Sequence, residues 1–99
     1  MIILIYEYNG SNLVDGLYFI YASWNSKCNI LIDRINRINK EFPNINIYKV
    51  NITKYPTIKA KFLVKKIPSY IFVKDNEIFA RKDGNIDYFT LKNWLLEKV

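Results

Sequence analysis

The chain has no histidine and a single cysteine among its 99 residues. An intramolecular disulfide is therefore impossible. The same scarcity excludes catalysis by an imidazole base and the usual zinc sites, which need several cysteine or histidine ligands. Because a lone thiol is typical of a reducing compartment, we expect a cytoplasmic protein. Glycine is scarce too, with three residues in all, and the sequence holds no glycine-rich loop that could cradle a phosphate. We expect no metal or other cofactor.

Long apolar runs are also missing from the sequence. None approaches the roughly 20 residues that span a membrane. The apolar start at residues 1–5 lacks the basic segment of a signal peptide and is soon followed by Glu7. We therefore expect a strand there, and no membrane partner.

Hydrophobic residues make up 51% of the chain, which is enough for one core at this length. Since no linker divides the sequence, we expect one domain over residues 1–99. The formal net charge is +6, and a basic chain attracts polyanions. However, isoleucine, asparagine and lysine are abundant together, and all three have AT-rich codons. The lysines are therefore weak evidence for nucleic-acid binding, which we do not expect.

The hydrophobic periodicity predicts alternating strands and helices. The continuous apolar run Leu17–Ala22 is typical of a central strand buried on both faces. Leu31, Ile35 and Ile38 recur at helical spacing, and Phe42 continues the stripe. Charged residues are expected to fill the opposite face of that helix: Asp33, Arg34, Arg37 and Lys40.

The predicted elements follow the order β, α, β, α, β, β, α after a first strand. Asp75 and Asn76 predict a hairpin turn, and Asp87 is placed to cap the last helix. Strands are predicted at residues 1–8, 17–22, 45–52, 69–74 and 77–82, and helices at 25–42, 53–62 and from 87 onward, with room for one helical turn at 11–16.

Two segments resemble the two halves of a thioredoxin active site. The first, Tyr21–Cys28, ends an apolar strand and opens a helix, and its last residue falls on the second cysteine of the family's Trp-Cys-Gly-Pro-Cys motif. In the second, Ile67-Pro68-Ser69 resembles the Ile-Pro-Thr of the family's cis-proline loop. Farther on, Asp75-Asn76-Glu77 resembles the following hairpin turn, and Gly84 the glycine before the last helix.

The resemblance covers the chain from about residue 17 to residue 99. It implies the thioredoxin fold, an α/β architecture with a central mixed sheet of four to five strands flanked by helices on both faces.

Four departures from the family's pattern bear on its chemistry. Asn25 stands where the family carries its first, nucleophilic cysteine, and Lys27 replaces the proline between the two cysteines. Phe19 falls where bacterial thioredoxins carry a buried aspartate that helps to move a proton from the second cysteine. Lys65-Lys66 replaces a pair that usually contains a glycine. The family's chemistry starts from a thiolate at the beginning of the helix. Since an amide is not nucleophilic, we expect dithiol–disulfide reductase activity to be lost.

The resemblance leaves two functions open. In the first, the chain is a binding module whose groove beside the cis-proline loop holds an extended protein or peptide client by β-type pairing. An acidic client suits the lysines around it. In the second, Cys28 is the catalytic residue of a single-cysteine redox protein and forms a mixed disulfide with glutathione or a client. The predicted groove consists of Trp24, Asn25, Ser26, Lys27, Ile67, Pro68, Ser69 and Gly84.

Structural roles also account for several of these residues. Asn25 is a good helix N-cap, and Cys28 suits the core as a small apolar filler. Lysines on and after the second helix, such as Lys59 and Lys66, fit a solvated face. Most of six tyrosines lie in apolar strands, so core packing is expected for this set rather than stacking on bases: Tyr6, Tyr8, Tyr18, Tyr21, Tyr48 and Tyr70.

Overall fold

Five strands form one mixed sheet in the computed structural model of the chain, which describes residues 5–10, 13–22, 26–84 and 86–98, with the backbone alone for 26–32. In the sheet the strands lie in the order β1-β3-β2-β4-β5. The first three of these neighbours run parallel, and β4 and β5 continue the sheet antiparallel. The strands are β1 (Ile5–Glu7), β2 (Gly16–Tyr21), β3 (Ile47–Asn51), β4 (Ser69–Lys74) and β5 (Glu77–Asp83).

Three helices cover the two faces of the sheet: α1 (Ser26–Glu41), α2 (Pro56–Lys61) and α3 (Tyr88–Lys98). Successive residues of a strand point to opposite faces, so the sheet builds two hydrophobic layers. Phe19 and Tyr70 belong to the layer shared with α1 and α3, whereas Tyr18 and Ile71 belong to the layer under α2. The predicted α/β architecture with helices on both faces is confirmed.

Helix α1 buries the apolar stripe that its spacing predicts. Ile35 and Ile38 are at most 1% exposed, and Phe42 packs against the same core. The side chain of Leu31 lies outside the described part of the structure.

The opposite face of α1 is only partly solvated, because α3 packs beside it. Arg34 donates a hydrogen bond to the carbonyl oxygen of Ile86, and the Arg37 guanidinium lies 3.8 Å from the centroid of the Tyr88 ring. Charged residues fill this face as predicted: Arg37 is exposed, and Arg34 is half-buried by its contact with Ile86.

Two local predictions are confirmed by the backbone. Asp75 and Asn76 have positive φ angles of 53° and 64°, as the two central residues of a tight hairpin turn require. The Asp87 carboxylate accepts a 2.7 Å hydrogen bond from the N–H of Thr90. That backbone hydrogen bond lowers the pKa of Asp87 and caps α3.

Element bounds differ from the predictions near the chain's turns. The strand predicted at residues 1–8 is observed at residues 5–7, and residues 1–4 lie outside the described ranges. Helix α2 begins only at Pro56 because residues 52–54 form a turn, in which the Asn51 side chain accepts a 3.0 Å hydrogen bond from the N–H of Thr53. Residues 13–15 are not helical. There the Tyr18 hydroxyl accepts a hydrogen bond from the N–H of Val14 and donates one to its carbonyl oxygen.

Candidate functional site

The register of the strands brings three segments that are far apart in the sequence to the same end of the sheet. Ser69, the first residue of β4, lies beside Ile20 of β2 and beside Asp83 of β5. The Ile67–Pro68 peptide bond just before β4 is cis, and the N–H of Gly84 donates a 2.8 Å hydrogen bond to the Pro68 carbonyl oxygen. Helix α1 starts five residues after β2 ends. The end of β2, the cis-proline loop before β4 and the end of β5 therefore come together.

The predicted site residues fall into three groups. Trp24 and Asn25 lie outside the described residues. Ser26, Lys27 and Cys28 are the first three residues of α1, with only their backbone described. The other four predicted residues are fully described: Ile67, Pro68, Ser69 and Gly84.

Ser69 is fully buried, and its side chain does not line an open surface. Its hydroxyl donates a hydrogen bond of 2.5 Å to the carbonyl oxygen of Lys66, across the cis-proline. A buried polar group needs such a partner. The serine side chain therefore fixes the shape of the loop, and only its backbone can contribute to a groove.

Gly84 leaves open space beside the loop. Its φ is +88°, a conformation that side chains rarely adopt, and a Cβ atom added there would meet no heavy atom within 4 Å. Pro68 itself is buried, so the prediction that its side chain lines a groove was wrong, whereas Ile67 and Gly84 are half-buried and border the open space.

Arg81, which no sequence pattern predicted as part of the site, holds the other end of the same loop. From the middle of β5 its guanidinium donates hydrogen bonds to the carbonyl oxygens of Phe62 at 2.7 Å and Leu63 at 3.3 Å, and it pairs with Asp83 at 3.3 Å. The last carbonyls of a helix lack partners within the helix, and Arg81 supplies one for α2. The end of β5 thus fastens the segment from 62 to 68 at both ends, through Arg81 and Gly84. The predicted end of α2 indicates that its last carbonyl oxygens need a hydrogen-bond donor. The sequence does not indicate which residue supplies that donor.

Among the described residues, no group of three carboxylate, cysteine or histidine side chains is arranged to hold a metal ion. No described helix is long and apolar enough to cross a membrane.

Comparison with known proteins agrees with this geometry. The family model described as thioredoxin matches residues 9–97. The chain belongs to the thioredoxin family. Thioredoxin 2 of Plasmodium falciparum (isolate 3D7) is 31% identical to it in an alignment 87 residues long that covers 78% of the chain and 55% of that relative. The thioredoxin of Buchnera aphidicola subsp. Schizaphis graminum (strain Sg) is 30% identical over 96 residues, which are 96% of the chain and 85% of that relative.

Solved thioredoxin structures share the fold. The germline-specific thioredoxin Deadhead of Drosophila melanogaster superposes with a TM-score of 0.76 over 86% of the chain and 83% of that protein, at 20% sequence identity. The chain spans about half the length of some of the curated relatives that it matches.

Phe19, at the position where the resemblance to bacterial thioredoxins places an aspartate, is part of the apolar core. Its side chain is fully buried, and its ring centroid lies 5.3 Å from that of Tyr70. The interior between the sheet and α1 is therefore apolar where that family member would carry an ionisable group.

Four tyrosines of this thioredoxin-family chain cluster in the layer under α2: Tyr8, Tyr18, Tyr48 and Tyr55. The rings of Tyr18 and Tyr48 stack at 4.9 Å, and Tyr8 packs edge-on against Tyr18 and Tyr55. Tyr18 and Tyr70 are buried as predicted, whereas Tyr6 is 45% exposed, so the prediction of core packing was wrong for Tyr6.

Burial raises the pKa values of Tyr8, Tyr18 and Tyr48, because desolvation disfavours the phenolate. The folded state thus binds protons that the unfolded chain has released above its tyrosine pKa of about 10. The protein therefore keeps its full folding stability, as far as these tyrosines are concerned, below about pH 10. It loses stability as the pH rises further, because ionisation then favours the unfolded chain. We expect phenolate absorbance to show a late-titrating group of tyrosines in the native protein but not in urea. The Tyr18→Phe variant should lose one member of this group. Titration of all the tyrosines together near pH 10 would contradict the prediction.

Proposed function

We propose that this thioredoxin-family chain is a protein-binding module that has lost dithiol–disulfide exchange. The observation that carries the proposal is the asparagine at position 25 of the sequence, in a chain whose Ile67–Pro68 peptide bond is cis. Disulfide reduction in the family needs a nucleophilic thiolate and a second thiol to release the product. The chain has one cysteine, so it cannot alternate between a dithiol and an internal disulfide.

The buried ring of Phe19 supports the same conclusion. The resemblance to bacterial thioredoxins implies an aspartate at this position, which assists proton transfer from the second cysteine. A phenyl ring can neither accept nor donate that proton, and its environment is fully enclosed. On this resemblance, two separate parts of the family's redox apparatus are replaced in the chain.

The backbone around Pro68 supports a binding role. The ladders that join β4 to β2 and β5 begin at Ser69, so the backbone of Ile67 lies outside both. The space beside Gly84 is open. An extended client that lays its main chain along Ile67 would form β-type hydrogen bonds, and this mode of binding needs no cysteine.

The test of the groove is the Gly84→Ala variant, measured against peptides selected on the wild-type protein from a random display library. The added methyl group enters the open space beside Pro68 and should weaken the selected peptides by about tenfold. Gly10→Ala is the matched control, since Gly10 has a φ of +87° and an added Cβ there would meet the Tyr55 ring at 3.2 Å. Both variants introduce similar backbone strain, but the control should retain wild-type affinity. Equal affinity of the wild type and Gly84→Ala, or a failure to select any peptide, would refute the proposal.

A further inference from the structure

The basic charge of the chain is concentrated around α2. The segment from residue 42 to residue 74 contains no aspartate or glutamate, and all nine acidic residues of the chain lie elsewhere. Among the described residues, the ion pairs are Arg81–Asp83 and Lys92–Glu41, so no described carboxylate pairs with a lysine of this segment. The lysines of the segment are Lys49, Lys54, Lys59, Lys61, Lys65, Lys66 and Lys74.

Leu63 stands at the end of α2 in a conformation that favours glycine. Its φ is +51°. Its N–H donates to the Ala60 carbonyl oxygen, and the N–H of Val64 donates to that of Lys59. This pair of bonds is the Schellman motif, whose left-handed residue is most often glycine. The Leu63 side chain is also 69% exposed. Neither backbone preference nor core packing accounts for a leucine here.

A shallow groove of about 390 Å³ lies beside the exposed leucine. Apolar side chains form most of its lining, and two exposed lysines stand at its edge. The hydrogen bonds from Arg81 to the carbonyls of Phe62 and Leu63 hold its backbone in place. We call this surface the α2 face; it consists of Pro56, Lys59, Ala60, Leu63, Val64 and Lys65.

We propose that the α2 face binds an acidic peptide segment of a partner protein, with one apolar side chain in the groove at Leu63 and carboxylates against Lys59 and Lys65. Charge complementarity selects the acidic flanks, and the apolar lining selects the central residue. A single-stranded nucleic acid would need an open aromatic ring on which to stack. Tyr55, the aromatic residue next to this face in the sequence, is half-buried against Tyr8 and Lys54.

The α2 face is distinct from the groove at Pro68, but the two adjoin along the chain. Lys65 and Pro68 are three residues apart, so their Cα atoms are at most about 11 Å from each other. One extended client could reach both surfaces. Binding at the α2 face nevertheless does not involve Gly84 or Ile67. Each of the two proposed binding sites can therefore be refuted without refuting the other.

The test uses the whole chain labelled with ¹⁵N and, as a probe, a peptide in which a central leucine is flanked on both sides by glutamates. We expect amide shifts at residues 59–65 and binding that weakens with salt, because screening shortens the range of charge interactions. Leu63→Gly suits the left-handed backbone and should weaken the probe by about tenfold. Lys65→Glu should weaken it by roughly fivefold.

Matched controls separate this surface from general attraction to a basic protein. Leu96→Ala removes another exposed leucine, 54% exposed on α3, and Lys40→Glu makes the same charge change on α1; both should leave affinity within about twofold of the wild type. Equal binding of a peptide with serine in place of leucine would overturn the proposal, as would tighter binding of a single-stranded oligonucleotide of equal charge or the absence of shifts at residues 59–65. Shifts confined to Ile67, Ser69 and Gly84 would support binding at the groove beside Pro68 and would exclude binding at the α2 face.

Discussion

The wild-type protein should not accelerate the reduction of insulin by dithiothreitol, whereas Asn25→Cys should raise the rate at least about tenfold above background. The substitution restores a thiol where the family carries its nucleophile, at the start of α1, where the helix dipole and free N–H groups favour a thiolate. Cys28 would then resolve the mixed disulfide. The measurement is the turbidity of precipitating insulin with time.

Two further variants make this result specific. Asn25→Ser should remain at background, and Asn25→Cys combined with Cys28→Ser should lose most of the gain, since no resolving thiol remains. Insulin reduction by the wild type would contradict the proposed loss of dithiol chemistry. Failure of Asn25→Cys to gain activity would show that residues 25 and 28 do not form the pair that the resemblance implies.

Alkylation of Cys28 separates the two functions that the resemblance leaves open. A slow native rate, restored only by denaturation, fits a thiol packed in the core and a protein that acts by binding. A fast native rate, with a pKa well below the free thiol's value of about 8.5, would instead support single-cysteine redox chemistry. The two outcomes are exclusive, because a buried thiol in apolar surroundings keeps a high pKa.

Phe19→Ala should destabilise the protein by about 4 kcal/mol, a large part of the roughly 5–15 kcal/mol that holds such a domain together. The ring is fully buried and lies against Tyr70 and Tyr21, so truncation leaves a cavity that the rigid sheet cannot fill. The measurement is the free energy of unfolding from urea titration, compared with wild type.

Phe19→Asp should be more destabilising still, because it places a carboxylate in an apolar layer. Phe89→Ala is the matched control, since that ring is 65% exposed on α3, and it should change stability by only about 0.5 kcal/mol. A Phe19→Asp variant as stable as Phe19→Ala would mean that the position still accepts the ionisable group of bacterial thioredoxins. The phenylalanine at position 19 would then no longer support the proposed loss of dithiol–disulfide exchange.

Most elements of the fold could be predicted from the sequence, because they depend on interactions between residues close together along the chain. The apolar stripe of α1 follows from helical spacing, the turn at Asp75 and Asn76 from residues that tolerate positive φ, and the cap at Asp87 from a carboxylate placed before a helix. Each depends on residues a few positions apart, and the order of these elements identified the fold. The interpretation of the asparagine at position 25 as a departure from the family's motif likewise comes from the sequence alone.

Contacts between distant segments were decided only by the tertiary structure. The hydrogen bonds from Arg81 to the end of α2 depend on the register of β5, and the contacts of Arg34 and Arg37 depend on α3 packing beside α1. The left-handed leucine at position 63 is equally hidden in the sequence, because a leucine there gives no sign of positive φ. Periodicity and propensity encode short-range geometry, whereas these features arise from pairings between residues that lie far apart along the chain.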